Sequence, residues 1–278
     1  MRALFLGGDI RQKYASDYLS KRRIESEAVC DVVLDEEMRQ RIETTDALVL
    51  PLPVVKIGKY LNTHNNIKIE INEIIPYISN NQIVFGGMVG SELRNCLEQN
   101  GITVFDYYEE ETFKIYNAFL SAEGAIFYAK GRMNRSIHGS HIAIMGYGRI
   151  GKILSHLLHA QGAKISVITR KELDRVWSDL SGFSSENINC GVNIKKYDLI
   201  FNTIPANIFT EEILQSITDK TLIIDISSYP YGISDKLLEK HDLNYYREPS
   251  IPGRYAPQSA GEALGKTIIN LLERRKLT

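Results

Sequence analysis

The chain has 278 residues and a formal charge of −1, with 33 basic and 34 acidic side chains. That balance excludes a dedicated nucleic-acid or anionic-membrane surface, and no apolar run approaches the roughly 18 residues that a membrane span needs. Cys30, Cys96 and Cys190 stand too far apart for a metal knuckle or a C-x-x-C pair, so no metal site is expected and the three are expected to be core or near-core thiols of a cytoplasmic protein. The length suits two domains, each able to bury its own core.

Residues 1–110 alternate strands and helices and predict a first α/β domain on the substrate side, built on a parallel sheet. Strands are expected at 2–6, 28–33, 47–50, 67–71, 82–85 and 102–105, and helices at 10–21 and 91–99. The N-terminus goes directly into the first strand. Gly7-Gly8 and Gly86-Gly87 follow strands, and Pro51-Leu52-Pro53 stops a third. In open α/β sheets such carboxyl ends line the ligand crevice, but glycine after a strand is also ordinary turn chemistry, and the residues leave both uses open.

From Glu111 the apolar Phe113, Tyr116, Phe119, Leu120 and Phe127 recur at helical spacing, which predicts a connecting helix over 111–136 that includes Asn117, Glu123 and Gly124. His138 and His141 then lead into a strand with no acidic partner nearby in sequence, and read as polar residues at a strand entry. A second parallel-sheet domain is expected over 137–255. It centres on His141-Ile-Ala-Ile-Met145 running into Gly146-Tyr147-Gly148-Arg149-Ile150-Gly151. A strand feeding G-x-G-x-x-G, followed by apolar residues at helical spacing, is the signature of a Rossmann dinucleotide site. Gly146 permits the turn, Gly148 lets backbone approach the pyrophosphate, Gly151 lets helix and strand pack closely, and the helix N-terminus receives the phosphates.

The next strand, 164–169, ends in Thr169-Arg170-Lys171. An NAD site usually places an acid there to accept from the ribose hydroxyls; a hydroxyl and two cations suit the 2′-phosphate of NADP better. A solvated basic turn remains the alternative, with Glu172 able to serve partly as the acid. Trp177 is expected to be a packing anchor in an irregular stretch. Strands at 198–204 and 221–226, closed by Pro205 and by Ser227-Ser228-Tyr229-Pro230, bring Thr203, Ile204, Pro205 and Ser227 to the nicotinamide half of the crevice. Residues 251–257 read as a loop stiffened by two prolines. Ser259 to Glu262 reads as a capping box opening a last helix over 256–278, whose apolar stripe should return to the first domain. The basic Arg274-Arg275-Lys276 end suits a helix C-terminus.

The order of these parts resembles the formate/glycerate dehydrogenase architecture. Within it, Gly7-Gly8-Asp9-x-Arg11-Gln12, Ile115-Tyr116-Asn117, Glu123-Gly124, Ile137-His138-Gly139-Ser140, Asn202-Thr203-Ile204-Pro205 and Pro252-Gly253-x-x-Ala256-Pro257 are similar to the dipicolinate synthase A subunit family, over nearly the whole chain. The resemblance implies an NADP-linked oxidation of dihydrodipicolinate to dipicolinate during spore formation, in the mother-cell cytoplasm. The partner it implies is a flavoprotein-like B subunit; a homo-oligomer is expected besides. A nucleotide-binding regulatory or structural subunit is the alternative from another class, and a 2-hydroxy acid dehydrogenase-like enzyme a further one. Against the last, Gln258 follows Pro257 where those enzymes carry a proton-shuttling histidine, and an amide is no general base near neutral pH. Glu123 is the candidate base, with a helix-surface salt bridge as its other use. Two carboxylates on a flat ring call for planar bidentate cations, and Arg11 and Arg254 are placed in that role beside Asp9, Asn117 and Ser259. A pairing of Arg11 with Asp9 and a solvated Arg254 are the competing readings.

Overall fold

The computed structural model describes residues 1–64, 67–217 and 220–276. The chain divides into two compact units, one made of Met1–Asn117 with Ala256–Thr278 and the other of Ala118–Tyr255.

The first unit contains strands β1 (Arg2–Leu6), β2 (Glu25–Val29), β3 (Ala47–Val49), β4 (Val55–Ile57), β5 (Tyr60–Leu61), β6 (Ile83–Gly86) and β7 (Thr103–Asp106). Its helices are α1 (Ile10–Ser20), α2 (Glu36–Glu43), α3 (Ile71–Ile74) and α4 (Ser91–Gln99), then the start of α5 (Glu111–Lys130). Five strands form a parallel sheet in the order β2-β1-β3-β6-β7, while β4 and β5 make a small antiparallel ribbon. Strand order reverses between β1 and β3, which opens a crevice at their carboxyl ends. The inner strands are apolar because both faces are covered: Leu4, Leu6, Leu48 and Val84 pack with Ile42 and Leu97 on one side, and Ala3, Phe5, Val49 and Phe85 pack with Ala15 and Leu19 on the other.

The second unit continues α5 and then holds β8 (His141–Met145), α6 (Arg149–Ala160), β9 (Lys164–Thr169), α7 (Glu172–Leu180), β10 (Ser184–Asn187), β11 (Leu199–Asn202), α8 (Glu211–Gln215), β12 (Leu222–Asp225), α9 (Asp235–Leu238), β13 (Tyr245–Arg247) and α10 (Ile251–Tyr255). Its six strands are all parallel in the order β10-β9-β8-β11-β12-β13. This is the doubly wound dinucleotide-binding order, with its switch point between β8 and β11. The chain ends in α11 (Pro257–Lys276), which belongs to the first unit. There Leu264, Ile268, Leu271 and Leu272 join the cluster of Ala3, Phe5, Ala15 and Leu19, each such side chain contributing about 1.5–3 kcal/mol when fully buried. Glycines make the approach close, since a Cβ on Gly261 would lie 2.5 Å from the carbonyl oxygen of Arg11.

Several expectations need correction. Residues 67–71 form no strand; Ile71 opens α3 instead, because the Glu73 side chain accepts from the Glu70 amide at 2.9 Å and caps a helical turn that buries Ile71 and Ile74. The strand placed at 28–33 is β2, which starts at Glu25 and pairs Arg2 with Glu25; an edge strand tolerates the polar Glu-Ser-Glu that hid it. Helix α2 was not expected, yet Asp35 caps it by accepting from Met38 N at 2.9 Å. The supposed loop at 251–257 contains α10. Helix α11 starts at Pro257, two residues before Ser259, so Ser259 is no cap; proline suits the first helical position. Trp177 lies on α7 and is 54% exposed, the reverse of a packing anchor. Cys30 and Cys96 are half-buried, but Cys190 is exposed.

Candidate nucleotide and substrate sites

In the second unit the carboxyl ends of β8 and β11 carry the glycine turn and the Asn202-Thr203-Ile204-Pro205 segment. Gly146 adopts φ +93°, and a Cβ there would lie 2.7 Å from Thr203 Oγ1 and 2.8 Å from Ile204. A Cβ on Gly151 would stand 2.2 Å from the Gly146 carbonyl oxygen, so helix α6 can leave the strand at this angle only from glycine. A Cβ on Gly148 would meet nothing within 4 Å; that space lies at the N-cap of α6, which no side chain caps. Backbone amides of a helix N-terminus beside open space are what a pyrophosphate requires, and the residues present fit a dinucleotide. Arg149 is exposed and Ile150 half-buried on the first turn of α6, whereas the Tyr147 ring is buried in the core, its hydroxyl 3.5 Å from Ser181 Oγ.

At the end of β9, Thr169 is buried while Arg170 and Lys171 are exposed. Thr169 Oγ1 accepts from the Lys171 amide at 3.3 Å, and Arg175 NH1 donates to the carbonyls of Thr169 (3.5 Å) and Arg170 (3.2 Å). A third cation therefore stands at this turn. Sequence reasoning missed it because only the helical turn of α7 brings residue 175 back to the strand end.

Asp225 also escaped notice, although a carboxylate ending the apolar run Leu222-Ile-Ile-Asp225 is a signal in itself. It is wholly buried at the end of β12. Its Oδ1 accepts from Ser227 Oγ (2.6 Å), Ser227 N (3.0 Å) and Asn202 Nδ2 (3.0 Å), and its Oδ2 from Gly232 N (2.6 Å) and the Tyr245 hydroxyl (2.6 Å). Burial, together with donation to that carboxylate, pushes the Tyr245 hydroxyl well above the usual tyrosine range. The Ser227 hydroxyl is thus committed to Asp225. Asn202 Oδ1 accepts from Ile204 N at 3.0 Å and Thr203 Oγ1 donates to Met145 O at 2.8 Å, which stiffens the floor beside the glycine turn. Pro205 is exposed and Ile204 half-buried there.

In the first unit, a cavity at the β1/β3 switch point is lined by Asp9, Arg11 and Asn117, three of the expected substrate residues, with Gln12, Pro51 and Tyr107 beside them. Asp9 caps α1 and receives Arg11 Nε and NH2 on its two oxygens, both at 2.8 Å. Burial alone would raise the Asp9 carboxyl, but the two guanidinium bonds and the charge of Arg11 outweigh it and hold the group below its ordinary value. Tyr107 donates to the Leu50 carbonyl at 3.0 Å, and burial keeps its hydroxyl far above the usual tyrosine range. Gln12 is buried, and its Oε1 has no hydrogen-bond partner among the described residues.

Ser259 lines a different groove of the first unit, with Tyr116 and Glu262, and the exposed Gln258 amide donates to Glu262 Oε1 at 3.0 Å. In the second unit Glu123 is an exposed residue of α5, next to Gly124, where a Cβ would strike Ile251 of α10 at 2.4 Å. Arg254, on α10, pairs with the buried Glu248, which also accepts from the Tyr255 hydroxyl at 3.2 Å. Both candidate arginines thus already hold a carboxylate. Among the described residues no cluster of three or more His, Cys, Asp or Glu gathers as a metal site would require, and no helix is long and apolar enough to cross a membrane.

Residues 2–108 match the family described as the N-terminal domain of the dipicolinate synthase A subunit. The dipicolinate synthase A subunit of Bacillus subtilis (strain 168) is 32% identical over 193 residues, a stretch that spans 68% of this chain and 64% of that protein, just under two thirds of its length. The crystal structure of the dipicolinate synthase A subunit from Bacillus halodurans superposes with a TM-score of 0.83 at 27% identity, covering 98% of this chain and 97% of that one. Salmonella D-lactate dehydrogenase, at 12% identity, shares the fold with a TM-score of 0.66 over 98% of this chain and 96% of that one.

Proposed function

Because the chain belongs to the dipicolinate synthase A subunit family, we propose that it is an NADP-linked oxidoreductase that converts dihydrodipicolinate to dipicolinate together with a flavoprotein-like second subunit. When bound, the dinucleotide supplies the hydride acceptor. The amides of Gly146 to Gly151 and the first turn of α6 hold the pyrophosphate, and Arg170 and Lys171 hold the 2′-phosphate. The observation that carries the cofactor choice is this exposed cation pair at the end of β9, where no acid follows the strand directly. Thr203, Ile204 and Pro205 flank the nicotinamide.

Aromatising a dihydropyridine asks little of the protein, because hydride leaves one ring carbon, an acidified C–H proton leaves another, and aromaticity is gained. Orientation supplies most of the help. We assign a carboxylate of the substrate to Arg11, with Asp9 and Asn117, which line the same cavity of the first unit, as further contacts; Arg254 as a second cation, Ser259 as a contact and Glu123 as proton acceptor are each proposed singly, to be tested by substitution. For Arg11 to act, the Asp9 carboxylate has to yield its place to that of the substrate.

A second reading, a nucleotide-binding regulatory subunit, is favoured by the pairing of Arg11 with Asp9 and of Arg254 with Glu248. One experiment separates the two. The purified chain, with and without its flavoprotein-like partner, is given NADP+ and freshly prepared dihydrodipicolinate while nicotinamide absorbance and dipicolinate are followed. Stoichiometric formation of NADPH and dipicolinate is expected; nucleotide binding with no redox change in either mixture would leave the regulatory reading.

A further inference from the structure

Helix α1 turns an amide toward the core. Gln12, Ala15, Ser16 and Leu19 form its buried face, a position that helical spacing reserves for apolar side chains. Gln12 is 3% exposed, and its Oε1 is buried with no hydrogen-bond partner among the described residues. The side chain lies pressed across Gly8, where a Cβ would come within 2.8 Å of Gln12 Cγ and 3.1 Å of its Nε2. A buried acceptor without a donor destabilises a fold, whereas an apolar side chain of the same shape is nearly neutral. The amide lines the cavity of the first unit beside Asp9 and Arg11, against a wall of Pro51, Leu52 and Phe113. Tyr107 spends its hydroxyl proton on Leu50 O, and Arg11 gives Nε and NH2 to Asp9. An acceptor left open at the wall of a cavity is set for a donor that arrives with the ligand.

We propose that Gln12 Oε1 accepts a hydrogen bond from a ring N–H of the dicarboxylate that Arg11 binds, so that the cavity selects the reduced ring over the aromatic one. The inference rests on the substrate reading given above. An aromatic pyridine nitrogen only accepts, and would meet the Gln12 oxygen as acceptor against acceptor. A dihydropyridine donates once its acidified C–H proton has moved to the ring nitrogen. From that tautomer the nitrogen lone pair expels hydride from the neighbouring saturated carbon, with oxidised nicotinamide as its acceptor, and the N–H proton then leaves to solvent. One hydride and one proton are lost in all, so the balance of the reaction is unchanged. By accepting from the N–H, Gln12 raises the electron density on nitrogen and favours departure of the hydride. When the ring becomes aromatic the bond disappears, and the product is held less tightly than the substrate.

Two flat, stable rings isolate the contact. Pyrrole-2,5-dicarboxylate carries a ring N–H between its carboxylates, and furan-2,5-dicarboxylate carries an oxygen there. In calorimetric titrations the full chain should bind the pyrrole at least about tenfold more tightly than the furan. Gln12→Met nearly keeps the volume and removes the amide acceptor, so it should bring the two affinities together while dipicolinate still binds. The melting temperature of this variant should hold or rise, because an unpartnered acceptor has given way to apolar surface; a residue that only shaped the fold would lower it. Equal affinities of the parent for pyrrole and furan, or a preference that survives Gln12→Met, overturns the proposal, and binding of dipicolinate in the same titrations leaves the substrate reading standing. A parent chain that binds none of the three dicarboxylates overturns the substrate reading and the proposal with it.

Discussion

Asn202 Nδ2 donates to Asp225 Oδ1 at 3.0 Å, tying the carboxyl ends of β11 and β12 through two side chains that solvent does not reach. Asp225 collects four further hydrogen bonds from Ser227, Gly232 and Tyr245, and through them sets the course of the chain from residue 226 to 233. A buried carboxylate costs several kcal/mol unless its lone pairs are filled, and here they are.

Removing that acceptor should be severe. Asp225→Ala orphans buried donors and is expected to cost about 3–5 kcal/mol, read as a fall in the denaturant midpoint of the second unit. Asp225→Asn should also destabilise, because an amide nitrogen would then face donors. A loss below about 1 kcal/mol in both variants would show that the network is not the restraint described.

The glycine turn makes a contrast within one motif. Gly151→Ala should unfold the turn or force α6 away, since the new methyl meets the Gly146 carbonyl oxygen at 2.2 Å. Gly148→Ala has open space and ordinary backbone angles, so its stability should change by no more than about 0.5 kcal/mol. The same methyl occupies the place given to the pyrophosphate, and nucleotide affinity should fall at least about tenfold. Calorimetric titration of nucleotide beside thermal melts of both variants checks the pair.

Cofactor choice rests on the end of β9. A charge-assisted bond from Arg170 to a 2′-phosphate contributes roughly 1.5–3 kcal/mol, about ten- to a hundredfold in affinity. Wild-type chain should prefer NADP(H) over NAD(H) by that factor, and Arg170→Ala should abolish the preference while leaving NAD(H) binding intact. Equal affinities in the wild type would return the site to NAD.

The Asp9–Arg11 pair gives a pH dependence with a definite sign. Arg11 holds the Asp9 carboxyl below its ordinary value of 3.8, so the folded state binds this proton less readily than the unfolded chain. The stability it adds is present above about pH 4 and is lost as the pH falls through the folded value. Arg11→Ala should flatten this part of the acid-unfolding curve. Asp9→Ala, which also removes the cap of α1, should cost about 1 kcal/mol at neutral pH. In dipicolinate titrations Arg11→Ala should weaken binding by about 2–5 kcal/mol with nucleotide affinity unchanged; parent-like dipicolinate binding by both Arg11→Ala and Arg254→Ala would move the substrate site elsewhere.

Features that depend on local spacing are legible in the sequence itself. Apolar runs bounded by glycine or proline placed β1, β8 and β9, helical periodicity placed α4 and α5, and the three glycines with the strand before them announced the dinucleotide fold. These features need only neighbouring residues to be satisfied, so they can be read one segment at a time. Long-range packing set the rest. Polar β2 is a strand because it sits at a sheet edge, and Asp225 is a hub because separate stretches of the chain deliver donors to it. Asp9 and Arg11 satisfy one another through two bonds that no spacing rule requires. Leu173, Val176, Trp177 and Leu180 of α7 have the spacing of a core stripe and are exposed, because Arg175 and Ser178 hold the other face inward. Periodicity states that a helix has two faces; which one is buried depends on partners far away in the chain.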